Sequence, residues 1–150
     1  VNSPADVIVF EGVPEVLKQY KRQGWSIAAV SNQGGVALGF LTERQAKEAA
    51  EETNRQCGYV FDVIRLCFHN PHSPDANMQI CQCRKPLPGM IVDSLLLLAR
   101  THVEKFSLRA SLMVGDRDED QQCAKNAGVP FQWAEDWRQR PIGLENPRDE

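Results

Sequence analysis

Apolar positions along the chain fall into two rhythms. Short runs rich in β-branched and aliphatic residues, 6–10 (DVIVF), 25–30 (WSIAAV), 60–68 (VFDVIRLCF), 110–114 (ASLMV) and 129–133 (VPFQW), predict strands. Between them the apolar residues recur at helical spacing. Pro14 opens a helix that carries Val16, Leu17 and Tyr20 to about Gln23, and Gly24 closes it. A second helix begins at Thr42, where Thr-x-x-Gln forms a capping box, and runs to about Gln56. A third covers 89 to about 102, and a fourth 119–127. The stretch 70–88 holds four prolines and no periodicity, so it reads as a loop too long to be left untied. From about Arg138 the pattern dissolves into a polar, proline-containing tail, 138–150.

Strands alternating with helices predict an α/β fold, one domain over 1–137 with a parallel sheet and helices on both faces. Ligands of such sheets gather at the carboxyl ends of the strands. Two turns stand there, "SNQGG" (31–35) and "GDRDED" (115–120).

Composition adds limits. At 150 residues, 42% apolar and 25% charged, the chain can bury one ordinary core. A net charge of −3 gives no electrostatic case for general nucleic-acid binding. No apolar run approaches a membrane span, and the first ten residues lack the basic start and cleavage site of a secretory leader. A cytoplasmic location follows as the default. Five cysteines, in a reducing compartment, point to metal ligands or buried thiols.

Four of the candidate ligands bracket the long loop, Cys67-x-His69 at its start and Cys81-x-Cys83 near its end. Three thiolates and one imidazole form the tetrahedral set that structural zinc takes, and zinc would tie a loop of about 67–88. Free thiols and a redox pair are the other readings, and His72 is a spare ligand or simply a loop histidine. Cys57 and Cys123 lie on helical stretches and read as core thiols. Asp116 and Asp120, one helical turn apart at a strand end, suit Mg²⁺, or else make an acidic helix start that the macrodipole favours. "SNQGG" offers a hydroxyl, an amide and backbone N–H groups that can cradle a phosphate, although such clusters are also ordinary turns.

The ordered set is more specific than its parts: a strand into "SNQGG", Cys-x-His, "CQCRKPLPGM" (81–90), and a strand into "GDRDED". In this it resembles the haloacid dehalogenase-like (HAD) phosphatases. Within them it is similar to the zinc-loop group that contains the heptose-bisphosphate phosphatases and the histidinol-phosphatase domains. The resemblance spans about residues 11–130 and implies a Rossmann-like HAD fold. It implies that Ser31 and Asn32 bind the transferring phosphoryl group and that Lys85 neutralises it. Asp116 would hold Mg²⁺ with Asp120 beside it. Arg84 and Arg117 would meet a substrate phosphate, and Cys67, His69, Cys81 and Cys83 would hold zinc.

One motif of that family, a strand ending in Asp-x-Asp-x-Thr whose first Asp attacks phosphorus, does not occur in these 150 residues. The resemblance therefore implies a sheet lacking its usual first central strand, between the strands ending at Val30 and Val114. "DVIVF", a second chain in a homodimer, or closure of the neighbours would fill the place. Three readings follow: a phosphomonoesterase of a small phosphorylated metabolite such as a sugar phosphate, N-terminally shortened and inactive as this chain alone; a non-catalytic relative that binds a phosphorylated ligand or a partner; and a polynucleotide end phosphatase. The zinc loop and the acidic balance argue against the last. Should the chain nonetheless hydrolyse phosphate esters, Glu11 and Asp6 are the carboxylates to test as substitutes for the missing nucleophile.

Overall fold

The computed structural model describes residues 3–101 and 107–144. After a 3-10 turn at Pro4–Asp6 the order is α1 (Val13–Arg22), β1 (Ala28–Asn32), α2 (Glu43–Gln56), β2 (Val63–Cys67), α3 (Gly89–Thr101), β3 (Met113–Gly115), α4 (Asp118–Ala127), β4 (Phe131–Trp133) and α5 (Ala134–Gln139). Both strand pairs are parallel. β1 pairs with β2 from Ala28 opposite Val63 to Asn32 opposite Cys67. β3 pairs with β4 from Met113 opposite Phe131 to Gly115 opposite Trp133. This is the alternating α/β plan that the periodicity predicts.

The helix signals act as read. Thr42 and Gln45 cap each other reciprocally, Gln45 N–H to Thr42 Oγ1 at 3.1 Å and Thr42 N–H to Gln45 Oε1 at 2.8 Å. β1 starts three residues later than the apolar run. Trp25 donates its N–H back to Tyr20 O, and its ring meets the Tyr20 ring edge-on at 5.4 Å. Asp62 then ties Ile27 N–H, at 2.7 Å, so the ladder begins only beyond it.

Three expectations change. Residues 7–10 form no strand: Val7 is extended, but Ile8 is 88% and Phe10 65% exposed. Apolar residues make a strand only where a sheet edge accepts their backbone, and no described strand pairs with this run. "DVIVF" therefore does not fill a place in the sheet. The described strands form two separate two-stranded sheets. They share one core, in which Met113, Cys123, Ala124 and Val129 are joined by Val30 of β1, Ile91 of α3 and Phe131 of β4. Finally, the start of the polar tail is docked rather than loose. Tyr20 OH donates to Ile142 O, Trp137 Nε1–H donates to Tyr20 OH at 3.0 Å, and Gln132 Nε2 donates to Arg140 O at 2.8 Å. Residues 145–150 lie outside the described residues.

The proline-rich loop is also more ordered than its composition suggests. Asn70 N–H bonds Met78 O, Ser73 Oγ donates to Ala37 O at 2.8 Å, and a 3-10 turn spans Ala76–Met78. No helix among the described residues is long and apolar enough to cross a membrane.

Candidate functional site

β1 and β3 deliver their last residues toward the same loop. Asn32, the final residue of β1, holds that loop by both ends of its amide. Lys85 N–H donates to Asn32 Oδ1 at 2.9 Å, and Asn32 Nδ2 donates to Lys85 O at 3.1 Å. The next peptide bond, Lys85–Pro86, is cis. The Lys85 ammonium in turn contacts the Asp120 carboxylate; the Asp120 side chain is buried and that of Lys85 largely so. The other Asp120 oxygen accepts the backbone N–H groups of Asp116 (3.1 Å) and Arg117 (3.2 Å). A carboxylate at the start of α4 is favoured by the helix dipole as well as by these donors. One chain of contacts thus runs from the end of β1 through Lys85 to the end of β3.

Gly115 permits this closure. A Cβ there would stand 2.4 Å from Asp120 Cβ. The "GD" of the motif is a steric requirement as much as a ligand signature.

The second cluster lies at the foot of the same loop. Cys67, the last residue of β2, and His69, Cys81 and Cys83 bring their ligand atoms within 4.8 Å of one another. Cys67 Sγ is 3.6 Å from His69 Nδ1 and 3.7 Å from Cys81 Sγ, and Cys83 Sγ is 3.4 Å from His69 Nδ1. A tetrahedral zinc with bonds of about 2.3 Å to sulfur and 2.0 Å to nitrogen needs edges of about 3.5–3.8 Å, so these three fit. Cys67 and Cys83 are closer, at 2.7 Å. Burial raises the Cys67 and Cys83 thiols, and proximity to the other sulfurs adds to this at Cys83. At Cys81 burial acts upward too, but it is outweighed by hydrogen bonds, first among them the Arg84 N–H at 3.3 Å, and the thiol falls below its usual value. Backbone donors to a ligand sulfur are a familiar support of metal thiolates. His72 is exposed and outside the cluster. Cys57 and Cys123 are fully buried, the latter donating to Leu87 O at 3.3 Å.

Arg84 links the two clusters. Its Nη1 donates to His69 O at 3.0 Å. Gly34 makes room for it: a Cβ on Gly34 would stand 2.6 Å from Arg84 Nη1 and 2.9 Å from Asn70 Nδ2. Ser31 Oγ accepts from Gln33 Nε2 at 2.8 Å. Asp116 and Arg117 are exposed at the mouth of β3. Asn32, Asp120, Lys85, Ser31 and Arg84 thus all have partners within the chain, while Asp116 and Arg117 expose their side chains beside them. Asp6 accepts from Ser3 N–H, and Glu11 is exposed at the turn before α1. Two surface grooves, about 320 Å³ beside Ile64, Arg65 and Phe68 and about 540 Å³ beside Val9, Phe10 and Glu11, are lined by none of the residues that join Asn32, Lys85 and Asp120.

Sequence reasoning missed Asn70 and the close-approach roles of Gly34 and Gly115. A glycine flanking a polar cluster was the only signal, and it does not say which neighbour comes close.

Comparison with known proteins places these features in a family. A HAD-hydrolase-like family profile matches residues 82–133. D-glycero-β-D-manno-heptose-1,7-bisphosphate 7-phosphatase of Haemophilus ducreyi is 34% identical over 133 residues, covering 86% of this chain and 70% of that protein. The Escherichia coli K12 enzyme of the same name is 37% identical over 123 residues, which is 79% of this chain and 61% of the relative. The solved D,D-heptose 1,7-bisphosphate phosphatase from B. bronchiseptica, complexed with magnesium and phosphate, superposes with a TM-score of 0.72 at 25% identity, over 97% of this chain and 79% of that one.

Proposed function

Because the chain belongs to the HAD-like hydrolases, in the group of the heptose-bisphosphate phosphatases, we propose that it is a phosphatase of a small sugar phosphate whose phosphate-binding, cation-bearing and zinc-tied parts lie in these residues. The observation that carries the reading is the contact chain Asn32–Lys85–Asp120, which sets a lysine between the ends of β1 and β3.

Charge stabilisation is the chief contribution a protein makes to phosphoryl transfer. Lys85 supplies it here, oriented by Asp120 and fixed along the backbone by Asn32. Ser31 Oγ and the backbone N–H groups of Gly34 and Gly35, which follow the Gln33 N–H bonded to Cys67 O, bind phosphoryl oxygens. Asp116, exposed and free of the bonds that occupy Asp120, is the residue that would hold Mg²⁺, which supplies further positive charge to the phosphoryl group. Asp120 is a positioning residue. Arg84 and Arg117 bind a second anionic group, which suits a bisphosphate of the kind in the relatives' names. Cys67, His69, Cys81 and Cys83 hold zinc, a structural ion that fixes the loop carrying Arg84 and Lys85.

No Asp-x-Asp-x-Thr motif occurs among the 150 residues. This polypeptide by itself therefore binds the phosphate without turning it over. Equilibrium binding of inorganic phosphate and of heptose 1,7-bisphosphate, with Mg²⁺ present, tests this. The expected result is measurable binding that Lys85→Ala weakens at least about tenfold, as loss of a charge-assisted contact does. No binding in either protein overturns the site. Hydrolysis by the purified chain, abolished by Lys85→Ala, overturns the statement about turnover and directs the search for a nucleophile to Glu11 and Asp6.

A further inference from the structure

α3 has two apolar faces. Met90, Ser94 and Leu98 are buried, and Ile91 packs on the shared core. On the opposite side Val92, Leu96 and Ala99 recur at helical spacing and face solvent, with Leu96 56% exposed. A surface helix normally carries polar residues there, and large exposed apolar stripes mark contact surfaces.

The charges beside this stripe indicate what it meets. Asp93 and Arg100 are exposed, lie seven residues apart on the same side of the helix, and form no ion pair among the described residues. Residues two turns apart along a helix share a face. One acid lies toward the N-terminal end, one base toward the C-terminal end, and the midpoint between them falls at Leu96 and Leu97. Such a surface is self-complementary under a two-fold axis, as an isologous contact requires.

We propose that α3 is a self-association face, on which two copies of this chain pair through antiparallel α3 helices about a two-fold axis at Leu96. Leu96 then meets its symmetry mate. Val92 of each copy lies against Ala99 of the other, and each Asp93 stands opposite the other copy's Arg100. A parallel two-fold arrangement would carry these flanks to opposite sides of the seam and form neither Asp93–Arg100 pair. Thirteen residues of helix bury less than the ~1,200–2,000 Å² of a stable complex, so the dimer is weak, with a dissociation constant of about 10–100 µM.

Sedimentation equilibrium of the purified chain over concentrations from roughly a tenth of to ten times that constant reads the association directly. The expected result is a monomer–dimer equilibrium in the wild type. Asp93→Arg and Arg100→Asp, each alone, replace two attractive pairs by two repulsive ones and weaken it at least about tenfold. Mixing these two variants in equal amounts restores both pairs, and so does combining the substitutions in one chain; each should return to within about threefold of wild type. Near-ultraviolet circular dichroism of each variant confirms that it is folded. A wild type that stays monomeric throughout overturns the proposal. So does a folded double variant as weak as the single ones, or a folded Leu96→Glu variant that associates like wild type.

Discussion

Residues 7–10 and residues 70–88 both lack regular strands and long helices, and they are held in opposite ways. The first segment has Gln56 Nε2 on Val7 O at 3.1 Å and the Arg138 guanidinium over Phe10 at 4.4 Å, while Ile8 lies almost wholly in solvent. The second is gripped along its length. Ser73 bonds to Ala37, Gln79 to Ser73, Arg84 to His69, Lys85 to Asn32 and Asp120, and the clustered side chains of Cys67, His69, Cys81 and Cys83 close its base. Apolar side chains confer order only where another surface covers them. Polar groups and ligands can fix a loop wherever their partners are within reach. The anchored loop carries Arg84 and Lys85, the cations of the proposed phosphate site.

The largest effect should come from the base of that loop. Cys67→Ala removes the buried ligand at the end of β2. Expected outcomes are metal content falling from about one zinc per chain to below a tenth, and a loss of stability on the order of 3 kcal/mol or more, with Tm lower by about 10 °C. Limited proteolysis should then cut within 70–88. Metal analysis, thermal unfolding and mapping of the cuts check this. An unchanged Tm with zinc absent from both proteins would remove the metal from the contrast and leave hydrogen bonds alone to explain the order.

The next largest concerns the join between β1 and β3, where the two partners of one ion pair should behave unequally. Asp120→Asn leaves the Lys85 ammonium in a site where its side chain is only 13% exposed, without its charge partner. Breaking a buried pair in this way costs about 3 kcal/mol or more. Lys85→Ala removes the charge that needs burial, and Asp120 keeps the N–H groups of Asp116 and Arg117, so the loss should be about 1–2 kcal/mol. Chemical denaturation of both variants measures the asymmetry. Equal losses would mean that Asp120 depends on Lys85 as heavily as Lys85 depends on it.

The same contrast explains what was legible in the sequence. The capping box at Thr42, the helix starting at Gly89 and the Cys-x-His and Cys-x-Cys pairs all rest on residues close together in the chain, where spacing carries the geometry. The pairing of Asn32 with Lys85, 53 positions away, has no local signal, and neither does the approach of Asp120 to Gly115 until a missing Cβ is read as space for a carboxylate. Residues 7–10 misled for the converse reason: β-propensity describes a fit to a half-buried sheet, and no sheet strand receives that segment. The docking of Ile142 on Tyr20 was hidden in a polar tail because a backbone carbonyl makes the contact and any residue type supplies one.

The smallest effect should fall on the exposed segment. Ile8→Thr keeps the β-branch and removes an apolar surface that is 88% exposed already. There is almost no burial to lose, so stability should stay within about 0.5 kcal/mol of wild type, the ordinary range for surface positions. Solubility should rise, since an extended apolar run with an open backbone is a template for edge-to-edge pairing. Chemical denaturation and the concentration at which light scattering begins measure the two quantities. A destabilisation of about 2 kcal/mol or more would show that Ile8 is covered in solution. Residues 7–10 would then be held by packing, and their contrast with the ligand-held loop would become one between two kinds of tie.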